Sequence, residues 1–255
     1  LQTHLLQGSA RDERGQMLAV LVPALRLTLR TPGVESLPVV LATLAAVHMS
    51  LGMRRAAARY RAAAERRIEL AGPASALPLR ARLVLEIYLR PWFEPAAQCL
   101  EAMTALRDDA RAAGDIECAS YATAGYAATA LVRGAPRERL LQDLESLDRS
   151  LRMFRSAPGL RLLSVYRAHL KGTELEARDT PDPRADGPRA QIATLAAWRA
   201  MDRGNTASVL TLLAPIIDTA IVTRGGHFST QIHLLRGLAA LDASEAIASR
   251  LWPTR

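Results

Sequence analysis

"SLPVVLATLAAVHMSLGMRRAAARYRAAAERRIEL" occupies residues 36–70 and contains two helical periods separated by a glycine. In the first period, Leu37, Val40, Leu41, Leu44, Val47 and Leu51 recur at steps of three and four, which places them on one face of an α-helix. Ser36 stands where an N-cap is wanted. Gly52 then permits a tight turn. In the second period, Met53, Ala57, Tyr60, Ala64 and Ile68 form one stripe, with Arg55, Arg59 and Arg66 opposite. Two amphipathic helices joined this closely fold back on each other as a hairpin.

The same grammar continues along the chain. A helix over about residues 75–90 is expected to stop at Pro91, which lacks an N–H and collides with the preceding turn. Glu94–Pro95 starts the next helix, with proline in its first turn. There Cys99, Leu100, Met103, Leu106 and Ala110 form the buried stripe, which ends at Gly114. Asp115 caps the small-residue helix "IECASYATAGYAATALV", and that helix stops at Gly134. Pro136 opens another, carried by Leu140, Leu144, Leu147, Leu151 and Phe154. No stretch shows the sustained apolar–polar alternation of a strand.

Gly52, Phe93, Gly134 and Gly172 mark hairpin tips at intervals of about 40 residues, the length of a two-helix repeat. Each such unit has an apolar flank that only its neighbours can cover. The expected fold is all-α, a right-handed α-solenoid of antiparallel helical hairpins in a tetratricopeptide-like superhelix. Residues 1–171 form the main hairpin array. "GTELEARDTPDPRADGPRA" (172–190) is a loop rich in proline, glycine and charge, and residues 188–255 continue the same array.

Composition narrows the function classes. Hydrophobic residues make up 49% of 255 residues, too many for a disordered chain. Charges break the apolar stretches before membrane-spanning length, and the first residues lack the pattern of a secretory signal. No membrane partner is expected, and two cysteines without a disulfide framework make a reducing, cytoplasmic setting the expectation. The chain starts at Leu1 without an initiator methionine and reads as a segment of a longer protein. The net charge of +8 comes from arginine, because Lys171 is the only lysine. Interleaved aromatics and nucleic-acid motifs are lacking, so nucleic acid is not an expected partner.

No catalytic constellation emerges. Cys99 and Cys118 lie on packed helices without a nearby histidine, which fits buried thiols better than nucleophiles. His48 sits beside an apolar stripe as a packing residue. His227 and His233 are six positions apart, the wrong spacing for two metal ligands on one helical face. There is no GxxxxGK[ST] and no GxGxxG after a strand, so no nucleotide or other cofactor is expected on this chain. The candidates for a partner or ligand surface are Trp92 and Phe93, between Pro91 and Pro95, and the Arg55, Arg59 and Arg66 face. For the aromatic pair, a hydrophobic plug setting the angle between two helices outweighs a ligand wall, and for the arginines a solvated helix face, diluted by Glu65 and Glu69, outweighs a phosphate site.

Several of these motifs recur together. "SLGM" (50–53), "RPWFEP" (90–95), "ARAAGDIECASYA" (110–122) and "LVRGAPRERLLQDL" (131–144) resemble a helical region of large bacterial signalling proteins. In that family the region follows a predicted ATPase domain, in proteins that also carry a serine/threonine kinase-like domain and often a GAF domain with a sensor histidine kinase. "MDRGNTASVLTLLAPI" (201–216) and "GGHFSTQIHLLRGLAAL" (225–241) extend the resemblance over most of residues 36–242, although Ser229 and Thr230 stand where the family tends to carry another aromatic. These are packing and turn motifs, and they transfer no catalytic residue. They imply a non-catalytic scaffold or sensor module whose partners are protein: neighbouring ATPase or kinase domains, or a signalling protein. The alternative is the inducer- or partner-binding helical region of an ATPase-type transcription activator.

Overall fold

The computed structural model describes residues 23–28, 30, 36–71, 76–153, 157–173, 186–217 and 232–243. The described residues are all-α, with no strand among them. The helices are α1 (Leu37–Ser50), α2 (Arg54–Ala71), α3 (Ala76–Tyr88), α4 (Ala96–Ala112) and α5 (Ile116–Val132). They continue with α6 (Arg137–Met153), α7 (Ala157–Lys171), α8 (Asp186–Asp202) and α9 (Thr206–Ile217). Further helical stretches cover 23–28 and 232–243.

Five helices end the same way. After α1, Gly52 has φ +77, its N–H donates to the Met49 carbonyl (2.9 Å), and Met53 N–H donates to His48 (2.8 Å). This is the Schellman closure, which satisfies the last carbonyls with a residue in the left-handed region. Gly114, Gly134, Gly172 and Gly204 repeat it, with the same pair of bonds to the third and fifth carbonyls back. The expected 40-residue spacing therefore captured three tips and misplaced one. The corner near Phe93 is a 3₁₀ turn over Arg90–Trp92, and further tight tips fall at Gly114 and Gly204.

Burial separates two kinds of helix. On α1, eleven of fourteen side chains are buried, polar Ser50 among them. On α2, only Ala57 and Ala64 are. The difference follows from packing, because α1 lies against both α2 and α3, with Ala24 of the 23–28 stretch on a further side. A helix covered from several directions must be apolar around most of its circumference. The core passes from helix to helix through such shared members. α3 gives Ala81, Val84 and Leu85 to a cluster with α1 and α2, and Leu79 and Leu83 to one with α4 and α5. α5 gives Cys118, Ala119 and Ala122 to that second cluster, and Ala124, Ala127 and Ala128 to one with α6 and α7. α8 joins the third cluster through Leu195 and a fourth, with α9 and residues 232–243, through Ala197.

The shared helices can hold hydroxyls because those groups bond back to their own backbone. Thr123 Oγ1 donates to Ala119 (2.8 Å), Thr129 Oγ1 to Gly125 (2.8 Å) and Ser50 Oγ to Val47 (2.8 Å). Small residues also let neighbours approach closely. A Cβ at Gly125 would lie 3.0 Å from Met103 Sδ on α4.

Four local expectations need correction. Ser36 does not cap α1: it is itself in the helical region with no side-chain bond, and Pro38 occupies the first turn. Pro91 does not end α3; the helix stops at Tyr88, and Pro91 lies inside the following 3₁₀ turn. Pro95 is the N-cap of α4 and not a first-turn residue. The stretch 172–190 is not loop throughout, because α8 begins at Asp186, with Pro188 in its first turn. Residues 174–185 lie outside the described residues, as do Phe154 and His227. Asp115 caps α5 as expected, with Oδ1 accepting from Cys118 N–H (3.0 Å).

Asp115 also joins two helices, since Arg80 Nε on α3 pairs with its Oδ2 at 3.0 Å. Replacing it with alanine removes a cap, worth about 1 kcal/mol, and leaves the Arg80 guanidinium with Glu117 (3.3 Å) as its remaining carboxylate. The expected loss for Asp115→Ala is about 1–2 kcal/mol in urea unfolding, while Asp115→Asn keeps the cap and loses less than about 1 kcal/mol. A second expectation concerns the turns. Nothing lies within 4 Å of a Cβ built at Gly134, so Gly134→Ala tests backbone strain alone. It should cost about 1 kcal/mol with an unchanged urea m-value.

Candidate functional site

The five residues singled out from sequence fall in two places. Trp92 and Phe93 follow α3, at the corner before α4. Trp92 is partly buried against the cluster of Val39, Ala42, Leu85 and Leu89, which makes it the plug of that corner. Phe93 is 41% exposed and lies beneath the Arg61 guanidinium, 5.4 Å from its ring centroid. The pair therefore splits: one ring packs inward, and the other lies on the surface under a cation.

Carboxylates organise the rest of the corner. Glu94 receives Arg61 Nη2 from α2 (2.5 Å) and Arg90 Nη1 (2.7 Å), while Arg61 also holds Glu65 (2.7 Å). Arg90 pairs in addition with Glu86, which is buried on α3. Burial pushes the Glu86 carboxyl above its ordinary value, against the pull of Arg90 and Arg82. With every cation here held by an acid, the corner reads as a structural joint between α2, α3 and α4.

Arg55 and Arg59 occupy a different position. Both are exposed one turn apart on α2, and with Arg54 they rim a cleft of about 870 Å³. Its lining includes Leu41 and His48 from α1 and Ala56, Tyr60 and Ala63 from α2. Arg66 is exposed but lies two turns further along, about 10 Å from Arg59, and takes no part. The His48 Nδ1–H donates to the Leu44 carbonyl (2.7 Å), and its ring lies 4.8 Å from the Tyr60 ring at 39°. His48 is thus the bonded packing residue expected from sequence, and it also faces the cleft. Sequence reasoning placed the arginines on a solvated face and missed the cleft, whose apolar side comes from both α1 and α2.

The thiols are poor nucleophiles. Cys99 and Cys118 are both buried and free. Burial first, then the Asp115 carboxylate, push the Cys118 thiol up to about 12, and its Sγ lies 3.6 Å from the Leu79 carbonyl. Burial likewise raises Cys99. Among the described residues, no three of His, Cys, Asp and Glu are grouped to hold a metal ion. No helix among them is long and apolar enough to cross a membrane. No known protein family, curated protein or solved structure matches this chain.

One further constellation joins α7 to α8. Arg199 Nη1 donates to the Thr173 carbonyl (3.0 Å), and Nη2 donates to the Ala168 carbonyl, so an α8 side chain caps the end of α7. His169 packs there, its ring 6.4 Å from that of Trp198. Burial, then the Arg199 charge, hold His169 below its ordinary value, with Asp202 pulling the other way.

Two expectations follow from these contacts. Trp92→Ala should cost about 2 kcal/mol in chemical unfolding, and Phe93→Ala no more than about 0.5 kcal/mol. The His169 effect has a definite sign. The unfolded chain binds its proton more tightly, so the stabilising contribution of the neutral imidazole is complete above the ordinary value of 6.5. It is lost as pH falls from there through the lower folded-state value. Wild type should lose more stability than His169→Asn between about pH 7.5 and 5.5, measured by urea midpoints.

Proposed function

We propose that this chain is a non-catalytic interaction module, a scaffold or sensor within a multidomain ATP-binding signal-transduction protein that regulates a kinase or ATPase. In this reading its hairpins stack as a right-handed, tetratricopeptide-like solenoid in the cytoplasm. Its partners are neighbouring ATPase or kinase domains, or a signalling protein. The observation that carries the reading is the relay of shared helices, in which α3, α5 and α8 each belong to two successive core clusters. A relay of this kind extends by addition and leaves long surfaces for recognition, which is how stacked repeats bind proteins. The motifs resembling the helical region of bacterial kinase–ATPase sensors add the setting.

A second reading is favoured by the cleft at α1 and α2: the inducer- or partner-binding helical region of an ATPase-type transcription activator. The two readings share the fold and differ in what the module senses.

Small-angle scattering tests the architecture. A compact domain of 255 residues has a radius of gyration of about 18 Å. The stacked array should exceed this clearly, with a distance distribution skewed to long vectors; a symmetric distribution at the compact value overturns the solenoid. Calorimetric titration with MgATP tests the accessory role. No binding heat is expected from this chain, and saturable ATP binding would contradict the reading.

A further inference from the structure

The geometry points to a binding site for a small organic anion with an apolar body, in the cleft formed by α1 and α2. This goes beyond the interaction-module reading and stands without it. The cleft, at about 870 Å³, falls within the range of small-molecule sites, roughly 300–1,000 Å³. Such sites combine apolar walls with a few convergent polar groups, and both are present. Leu41, Ala56 and Ala63 offer the apolar surface, and the Tyr60 and His48 rings stand together beside it.

The polar groups select for negative charge. Arg54, Arg55 and Arg59 converge on the cleft, and none of them has a carboxylate partner among the described residues. Arg61, on the same helix, is held by two acids. The contrast matters, because a guanidinium without a partner is a forked donor available to a carboxylate, sulfonate or phosphate. The first turn of α2 contains no acidic residue and carries Arg54 and Arg55 instead. Cations at the positive pole of a helix repel each other and the pole, and an anion beside them relieves both. His48 contributes no charge: with Nδ1–H committed to the Leu44 carbonyl, its Nε2 is an acceptor, suited to a hydroxyl or N–H on the body of the ligand and not to its anionic end.

Each part narrows the ligand. An inorganic ion would leave the apolar lining unused. A neutral hydrocarbon would leave three guanidiniums without partners, and a cation would be repelled. An aryl or acyl chain ending in an anionic group uses both halves of the cleft.

A matched pair of fluorescent probes tests this directly. Anilinonaphthalene sulfonate carries an aromatic body and an anion, and phenylnaphthylamine has the same body without the charge. The sulfonate should saturate one site per chain, roughly tenfold tighter than the neutral probe. In Arg55→Glu/Arg59→Glu that preference should vanish, with circular dichroism unchanged because both side chains are exposed. Ala63→Trp should weaken both probes by filling the apolar side; if that variant fails to fold, the charge reversal still decides. Absence of saturable sulfonate binding, or a preference that survives charge reversal, overturns the proposal. Sedimentation equilibrium covers the competing occupant: a wild-type dimer dissolved by Ala63→Trp would assign the cleft to a second copy and also overturn it.

Discussion

A backbone that must reverse within two or three residues is the constraint on which the rest of this structure depends. At Gly52, Gly114, Gly134, Gly172 and Gly204 the reversal begins from a positive φ, and the same two bonds close the preceding helix. Where the next helix starts at once, as after Gly52, Gly114 and Gly204, it has no freedom to wander and packs along its predecessor. The extensive contacts of α1 with α2, α4 with α5 and α8 with α9 are the direct result. Close pairing then leaves one flank of each pair uncovered, and the hydrophobic effect draws the next helix onto it.

Charge is distributed to suit that arrangement. The shared helices α1 and α5 carry few ionisable groups, whereas the outer faces are rich in arginine and acid. Many of these form pairs between helices, such as Arg80 with Asp115 and Arg82 with Asp109 (2.6 Å). Partly exposed pairs like these contribute little net stability, because solvent screens them and the side chains lose freedom. Their effect is on register: a bridge from α3 to the start of α5 is satisfied in one alignment and unsatisfied in the next. Asp115 serves this role best, because it is buried and its second oxygen is already committed to the cap.

Many features that depend on nearest neighbours in sequence were legible before the structure, although the Ser36 cap and the Pro91 stop, equally local, were misread. Helical period, the glycine stops, the Asp115 cap, the burial of both cysteines and the inward role of Trp92 all arise from local pattern. Most of what was not legible depends on groups that the fold brings together from different helices. Phe93 looked equivalent to Trp92 until Arg61, on another helix, was found above it. The start of α8 was hidden by composition, since Asp186–Gly187–Pro188 reads as linker and yet suits a helix's first turn. The Arg55 and Arg59 face looked like solvated surface because the cleft beside it is completed by Leu41 and His48 of α1. The grip of Arg199 on the α7 carbonyls could not have been anticipated, because it crosses a proline-rich stretch that no periodicity spans.

The reach of the helix contacts has a kinetic consequence. Among the described residues, no extensively contacting pair of helices is separated by more than one intervening helix. Assembly therefore never waits for distant segments to find each other, and the entropy of closing long loops is largely avoided. A chain built this way can begin to fold on the ribosome as soon as its first few helices have emerged, each new helix packing on the ones just before it.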